Sequence, residues 1–136
     1  MIGSPIFGLA PWVKGVPVDR IPDLLSVAND TKWRELRIAM LDLDSTERPS
    51  FRCMDAETGH LGEWDSEWFY HWLAGGWQWM EWVELLVAPQ QRDTVRAILA
   101  KIRFAGEETA QGFRIYGYIR AGQVVNYIEQ RTAEQT

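Results

Sequence analysis

The sequence predicts an α+β domain in which two helices pack on one mainly antiparallel sheet. Apolar residues recur with a helical period over 31–43 and again over 89–102, which is typical of amphipathic helices. Between and after these segments, short stretches with period-two alternation are separated by turns that contain glycine. Strands grouped between helices, without a repeated β–α–β order, favour an α+β fold over a parallel sheet.

The 136 residues divide by composition into three segments. Residues 1–28 form an arm rich in proline and glycine, and irregular or extended structure is expected there, either loose or packed on the domain. Residues 29–130 form a single domain, and residues 131–136 form a frayed tail. A chain of this length can bury a core without disulfides. Its one cysteine, Cys53, excludes an internal disulfide and is interpreted as a small core residue.

The first helix is predicted over 31–43, with Asp30 or Thr31 as its N-cap. Its apolar stripe consists of Trp33, Leu36, Met40 and Leu43. The second helix is predicted over 89–102, with Pro89 at its first position. Val95, Ile98, Leu99 and Ile102 form its buried stripe, and the side chains expected outside are Arg92, Arg96 and Lys101.

Several strands are predicted around these helices. The stretches SFRCMDAE and HLGEWD form two short strands joined by a turn at Thr58-Gly59. EWFYHWL fits a strand or a helix, and its dense aromatic residues favour a strand. WQWMEWVELLVA has apolar residues on both faces, as in a central strand covered on each side. FRIYGYIR and QVVNYIE form a closing hairpin around Ala121-Gly122.

The negative charge of the chain is concentrated in one segment. Between Cys53 and Gln91 there are seven acidic residues and no lysine or arginine, whereas the remaining residues carry twelve acids and fourteen bases. The whole excess behind the formal charge of −5 therefore lies in this segment. A nucleic acid would be repelled by it, and a basic protein surface would be attracted.

No pattern typical of a catalytic, cofactor or metal site is present. The phosphate-loop, dinucleotide-binding and nucleophile-elbow motifs are absent, and His60, His71 and Cys53 are too few and too scattered for a metal centre. Glu81 and Glu84 are three apart on a predicted strand, so they lie on opposite faces and do not pair for acid–base chemistry. We expect a protein that is not an enzyme, has no cofactor and binds no metal. An enzyme with other chemistry stays open as an alternative.

The N-terminus lacks the basic region and the uninterrupted apolar core of a secretory signal. No stretch approaches the roughly 20 apolar residues that a membrane-spanning helix needs. A cytoplasmic location without membrane contact is expected.

Eight tryptophans exceed what the interior of a domain of this size is expected to hold, and six of them lie between residues 62 and 84. About half of them, Trp33, Trp82 and one or two others, are interpreted as core residues, and the surplus is expected at the surface beside the acidic residues. Exposed aromatic side chains rimmed by charge of one sign are typical of an interface. The predicted partner-binding residues are Trp64, Asp65, Glu67, Trp68, Tyr70, Trp77, Trp79, Glu81 and Glu84.

Four stretches carry a family resemblance. The chain is similar over residues 29–129 to an uncharacterised family of small bacterial domains. The similarity lies in the TKW helix, the motifs WDSEWFYH and EWVE, and the closing GY…YI hairpin. Such domains resemble the immunity proteins of polymorphic-toxin loci, of the Rhs and type VI secretion kind. The resemblance supplies no catalytic residues.

This resemblance implies an immunity protein, or antitoxin. It would neutralise a cognate interbacterial toxin that acts in the cytoplasm, by direct binding and occlusion. The partner would be a toxin domain with a basic surface. The alternative from the residues themselves is a small-ligand binding module with an aromatic and acidic pocket.

Overall fold

The structure is a computed structural model that describes residues 24–69, 72 and 77–130. Within these ranges the chain forms two α-helices and six strands. In chain order they are β1 (Leu24–Ser26), α1 (Asp30–Asp42), β2 (Ser50–Asp55), β3 (Met80–Leu86), α2 (Arg92–Ile102), β4 (Gly106–Glu108), β5 (Gly112–Tyr116) and β6 (Tyr118–Arg120), with 3₁₀ turns at Trp77–Trp79 and Pro89–Gln91. The predicted arm as far as residue 23, the tail 131–136, Tyr70, His71 and the Gly75-Gly76 break lie outside the described residues.

Strand β3 is central in a four-stranded antiparallel sheet with the order β2-β3-β5-β4. A separate two-stranded sheet joins β1 to β6. The α+β class is confirmed, with the strands divided between two sheets where one was expected. The central position of β3 is also confirmed, because it pairs with β2 on one side and β5 on the other.

Helix α1 begins at Asp30, one residue before its predicted start, and its N-cap is Asn29. The side chain of Asn29, not of Asp30 or Thr31, accepts a hydrogen bond of 2.9 Å from the Lys32 N–H. Arg48, in the loop that follows the helix, donates to the carbonyl oxygens of Met40, Leu41 and Leu43 at 2.9–3.1 Å. Both ends of α1 thereby obtain partners for backbone groups that a helix cannot satisfy itself.

The core lies between the two helices and one face of the four-stranded sheet. Trp33, Leu36 and Met40 of α1 are buried as predicted, and so are Val95 and Leu99 of α2. They meet the buried side chains of the sheet, which are Phe51, Val83, Leu85, Phe113 and Ile115. The period of 3.6 therefore identified the centre of each buried stripe, whereas Leu43, Ile98 and Ile102 are only half-buried at its margin.

Arg96 of α2 is an exception, because it was expected outside and is only 5% exposed. Its guanidinium donates to Asp93, 2.6 Å away, and to Glu108 of β4. It also lies over the ring of Phe113, 5.5 Å from the centroid. Two carboxylates and an aromatic face thus make burial of this cation tolerable.

Two predicted strand segments take other forms. Trp77–Trp79 is a 3₁₀ turn and not the start of β3. The stretch 60–65 contacts β2 only through isolated bridges at Leu61 and Asp65. The Asp65 carboxylate accepts a hydrogen bond of 2.8 Å from the Glu67 N–H, a local turn that competes with continued strand pairing.

The prediction of a closing hairpin is also wrong. Gly117 separates β5 from β6, and β6 pairs with β1, whose residues were assigned to the arm. In the described stretch that follows the turn at Ala121-Gly122, residues 123–130, one bridge forms, between Tyr127 and Ala105. Gly122 has a φ of 85°, which suits glycine.

Gly112 allows β5 to approach β3 closely, and a substitution at this position tests that packing. A Cβ atom at this position would overlap the carbonyl oxygen of Leu85, which belongs to the central strand and cannot move away alone. We expect Gly112→Ala to lower the free energy of unfolding by about 2 kcal/mol or more, measured by urea denaturation. Gly62→Ala is the matched control, because the nearest atom to its added Cβ would be the Cys53 oxygen at 3.7 Å. Equal stability of the two variants would contradict this packing.

Candidate functional site

The predicted partner-binding tryptophans separate into buried and exposed residues. Trp68, Trp77 and Trp79 lie in the interior, so the expectation that they lie at the surface is wrong. Trp68 stacks on Trp72 with ring centroids 4.8 Å apart. Trp64 is 36% exposed, and it is the predicted tryptophan that a partner can reach.

Each buried ring has a local reason for its position. The indole N–H of Trp68 donates to the Pro49 carbonyl oxygen at 2.8 Å, and that of Trp77 donates to Asp30 at 2.7 Å. Trp79 packs with Leu24 and Ala56 in a small second core. These three tryptophans hold turns and irregular segments against the domain.

The predicted acidic residues also have roles within the chain. Glu81 is buried and receives two hydrogen bonds from Arg120, at 2.8 and 3.0 Å. Asp65 and Glu67 accept hydrogen bonds from nearby backbone N–H groups, at 2.8 and 3.1 Å. Tyr70 lies outside the described residues.

Glu84 lies between two arginines on the face of the sheet opposite the helices. Arg52 Nε is 2.8 Å from one carboxylate oxygen, and Arg114 Nη2 is 2.7 Å from the other. Glu84 was expected to be available to a cationic partner, and this expectation is wrong, since the chain's own guanidinium groups occupy both oxygens. Glu81 and Glu84 do point to opposite faces, as the spacing predicted.

The strand register extends this pairing across all four strands. Arg52 of β2 is opposite Glu84 of β3, Glu84 is opposite Arg114 of β5, and Arg114 is opposite Glu107 of β4. We call these four residues the charge row. The charges alternate in sign along it, and opposite charges on directly paired strands stabilise a sheet.

Aromatic rings flank the charge row. Arg52 lies over Trp64, 4.5 Å from the ring centroid, and Arg114 lies over Trp82 at 3.9 Å. The hydroxyl of Tyr116 donates to Glu107 at 3.3 Å. The charge row with Trp64, Trp82, Tyr116 and the exposed Leu86 is called the open face from here on.

The sequence did not predict most of the open face. Trp82 was interpreted as core, and it is only half-buried because its side of β3 faces away from the helices. Arg52 and Arg114 were not singled out at all. The available signal was the alternation of Arg52 with buried Phe51, and of Arg114 with buried Phe113 and Ile115.

The ionisation of the open face follows from these contacts. Burial raises the pKa of Glu84, but hydrogen bonds from Arg114 and Arg52 and their charges outweigh it, so the pKa lies below its ordinary value. Burial and the charge of Glu107 raise the pKa of Tyr116. At neutral pH Glu84 is therefore ionised and Tyr116 keeps its proton, so neither is poised to exchange protons.

Metal and thiol chemistry find no support in the described ranges. Residues 24–69, 72 and 77–130 contain no cluster of three or more side chains able to hold a metal ion. Burial, and then the charge of Asp65, raises the pKa of the Cys53 thiol to about 12. The thiol stays protonated and is a poor nucleophile. No helix in the described part has the length and apolarity needed to cross a bilayer.

Residues 20–122 match the family of unknown function DUF6678. The chain belongs to this family. The match contains both helices, both sheets and the whole open face. No curated protein and no solved structure matches the chain. The DUF6678 match begins before β1, whereas the resemblance quoted above begins at residue 29.

Glu84 makes the stability of the domain depend on pH. Because its folded pKa is lowered, the ion pairs contribute fully above the ordinary value of 4.5 and are lost as the pH falls through the folded pKa. We expect Glu84→Gln to lower the free energy of unfolding at pH 7 by about 1–3 kcal/mol, because two guanidinium groups lose their anion. The difference from wild type should shrink below pH 4.5, measured by urea denaturation at several pH values.

The control is Glu63→Gln, since Glu63 is exposed and forms no ion pair with the residues that the structure covers. It should leave the stability at pH 7 unchanged. A constant difference between wild type and Glu84→Gln at all pH values would contradict the assigned ionisation.

Proposed function

We propose that this domain binds another protein through its open face and inhibits that partner by covering it. The observation that carries the proposal is the charge row flanked by Trp64 and Trp82. Tryptophan and arginine are among the residue types that most often supply binding energy at protein interfaces.

The arginine side chains of the open face are already held in place before a partner binds, and this supports the proposal. Both guanidinium groups of the charge row are held by Glu84 and lie against indole rings. Long side chains that are already fixed lose less conformational entropy when a partner arrives. The open face is thus suited to bind a protein of fixed shape.

Exposure of this face also supports the proposal. Among the described elements, α1 and α2 pack on the other side of the sheet, where the core residues lie. Leu86 is 39% exposed and Trp64 is 36% exposed. An aromatic and apolar patch next to ordered charges marks an interaction site more often than an inert surface.

The specific form of the proposal is an immunity protein that neutralises a cytoplasm-acting toxin. It rests on the resemblance to immunity proteins of polymorphic-toxin loci and on the absence of a catalytic pattern in the sequence. The charge row is balanced, so attraction to a basic toxin would come from the neighbouring stretch 53–69, which has five acidic residues and no lysine or arginine. Steering by this stretch would raise the association rate at low salt.

The test is binding to the product of the adjacent gene. We expect the two proteins to co-purify, and the double variant Trp64→Ala/Trp82→Ala to weaken binding about 30-fold or more, measured by calorimetry. Ile38→Ala is the control, because Ile38 is also an exposed large apolar residue but lies on α1. Protection of cells that express the adjacent gene should fall with the affinity.

Two outcomes would contradict the proposal. Unchanged affinity in a double variant that keeps a wild-type melting temperature would remove the open face as the interface. Equal weakening by Ile38→Ala would indicate a loss of fold and not of contacts.

A small-ligand module is the second candidate, and one pocket favours it. A cavity of about 390 Å³ lies beside the start of α1 and is lined by Asp30, Trp77 and Tyr118 among others. An acid beside aromatic rings suits an organic cation. We expect a quaternary ammonium compound such as choline to raise the melting temperature in wild type and not in Tyr118→Ala, and no shift in either would exclude this candidate.

A further inference from the structure

A second concave site lies away from the open face, at the end of α2. Its volume is about 580 Å³, within the range of small-molecule pockets. Its walls come from the first turn of α1, the C-terminal end of α2 and the stretch after the Tyr127–Ala105 bridge. The side chains that matter are Lys32, Lys101, Arg103, Tyr127 and Glu129.

Backbone contacts fix the position of these walls. Arg103 ends α2 in the left-handed conformation, with a φ of 72°, and its N–H donates to Leu99 and Ala100. Its carbonyl oxygen accepts a hydrogen bond of 2.7 Å from Lys32 Nζ, which joins the two helices. The Ile128 N–H donates to the Phe104 oxygen at 2.9 Å and holds the third wall.

The pocket has an excess of positive charge. Lys32, Lys101 and Arg103 face one acid, Glu129, which gives a net charge of +2. Arg52, Arg92, Arg96, Arg114 and Arg120 are all paired with carboxylates. By contrast, Lys101 and Arg103 form no ion pair within the described part of the chain.

The pKa of Lys32 reflects this crowding of like charges. Burial and the neighbouring charge of Arg103 lower its pKa. An anion in the pocket would relieve both effects, because it would replace lost hydration and oppose the guanidinium charge. The ammonium group also lies 5.3 Å from the centre of the Tyr127 ring.

We propose that this pocket binds a small organic phosphate. A phosphate monoester carries about −1.5 to −2 charges at pH 7, which matches the net charge of the lining. Lysine and arginine are its usual protein partners, and arginine can bind two of its oxygens at once. Tyr127 is 59% exposed, and it offers an apolar surface to the organic part of the ligand. This site goes beyond the proposed docking function and shares no residue with the open face.

Phenyl phosphate is the probe, since it combines a phosphate monoester with a ring. Calorimetry on the full chain should show saturable binding that is tighter than binding of inorganic phosphate. Arg103→Gln should weaken binding about tenfold, because it removes a charge-assisted hydrogen bond. Arg34→Gln is the control, since it makes the same charge change at an exposed position of α1 outside the pocket.

A second variant is expected to change the affinity for phenyl phosphate in the opposite direction. Glu129→Gln removes the one acid of the pocket and should tighten binding several-fold, whereas Glu63→Gln should leave it unchanged. This pair keeps the test decisive if Arg103→Gln fails to fold.

Three results would overturn the proposal. They are an absence of saturable binding of phenyl phosphate, equal weakening by Arg34→Gln, and no gain in Glu129→Gln. Binding of a short RNA without binding of phenyl phosphate would also overturn it, because the site would then belong to a polymer and not to a small molecule.

Discussion

The ion pairs of Glu84 are the constraint around which the open face is organised. A carboxylate on the central strand has to be compensated, because burial between neighbouring strands removes much of its hydration. Arg52 and Arg114 supply that compensation from the two adjacent strands. Once fixed, their guanidinium planes provide the surfaces on which Trp64 and Trp82 lie. The same strand contributes Val83 and Leu85 to the core, so β3 separates an apolar interior from a charged and aromatic exterior.

Local patterns were sufficient to predict the helices and the central strand, but not the exposure of the aromatic rings. The spacing of Trp33, Leu36 and Met40 is set by the geometry of one helix, so it is visible in the sequence. The exposure of Trp82 depends on which face of the sheet the helices cover, and Arg114, whose guanidinium lies over its ring, is 32 positions away in another strand. Period-two alternation placed Trp82 correctly on the face opposite Val83 and Leu85, but the expectation that both faces are covered assigned it to the core. Long-range pairing, and not propensity, therefore decided which tryptophans reach the surface.

The charge distribution of the sequence has a different meaning once the fold is known. The acids of β3 are compensated by arginines from distant parts of the chain, so a count along the sequence overstated the negative charge of that surface. The same count also hid a positive region, because Lys32 is far in sequence from Lys101 and Arg103 and meets them only at the junction of the two helices. The charge-balanced open face and the positive pocket thus share no residue, which would allow a protein partner and a small anion to bind at the same time.

The contacts of Arg96 couple the unfolding of helix α2 to that of the sheet. Its buried guanidinium connects α2 to β4 through Glu108, and its pairing with Asp93 stays within the helix. If the helix detached while the sheet stayed intact, Glu108 would lose a partner and Phe113 would be exposed to water. Local opening at this junction therefore costs both the Arg96–Glu108 ion pair and the burial of Phe113. Helix α2 and the adjoining strands should consequently behave as one cooperative unit, and their amide protons should exchange with solvent at a common, slow rate.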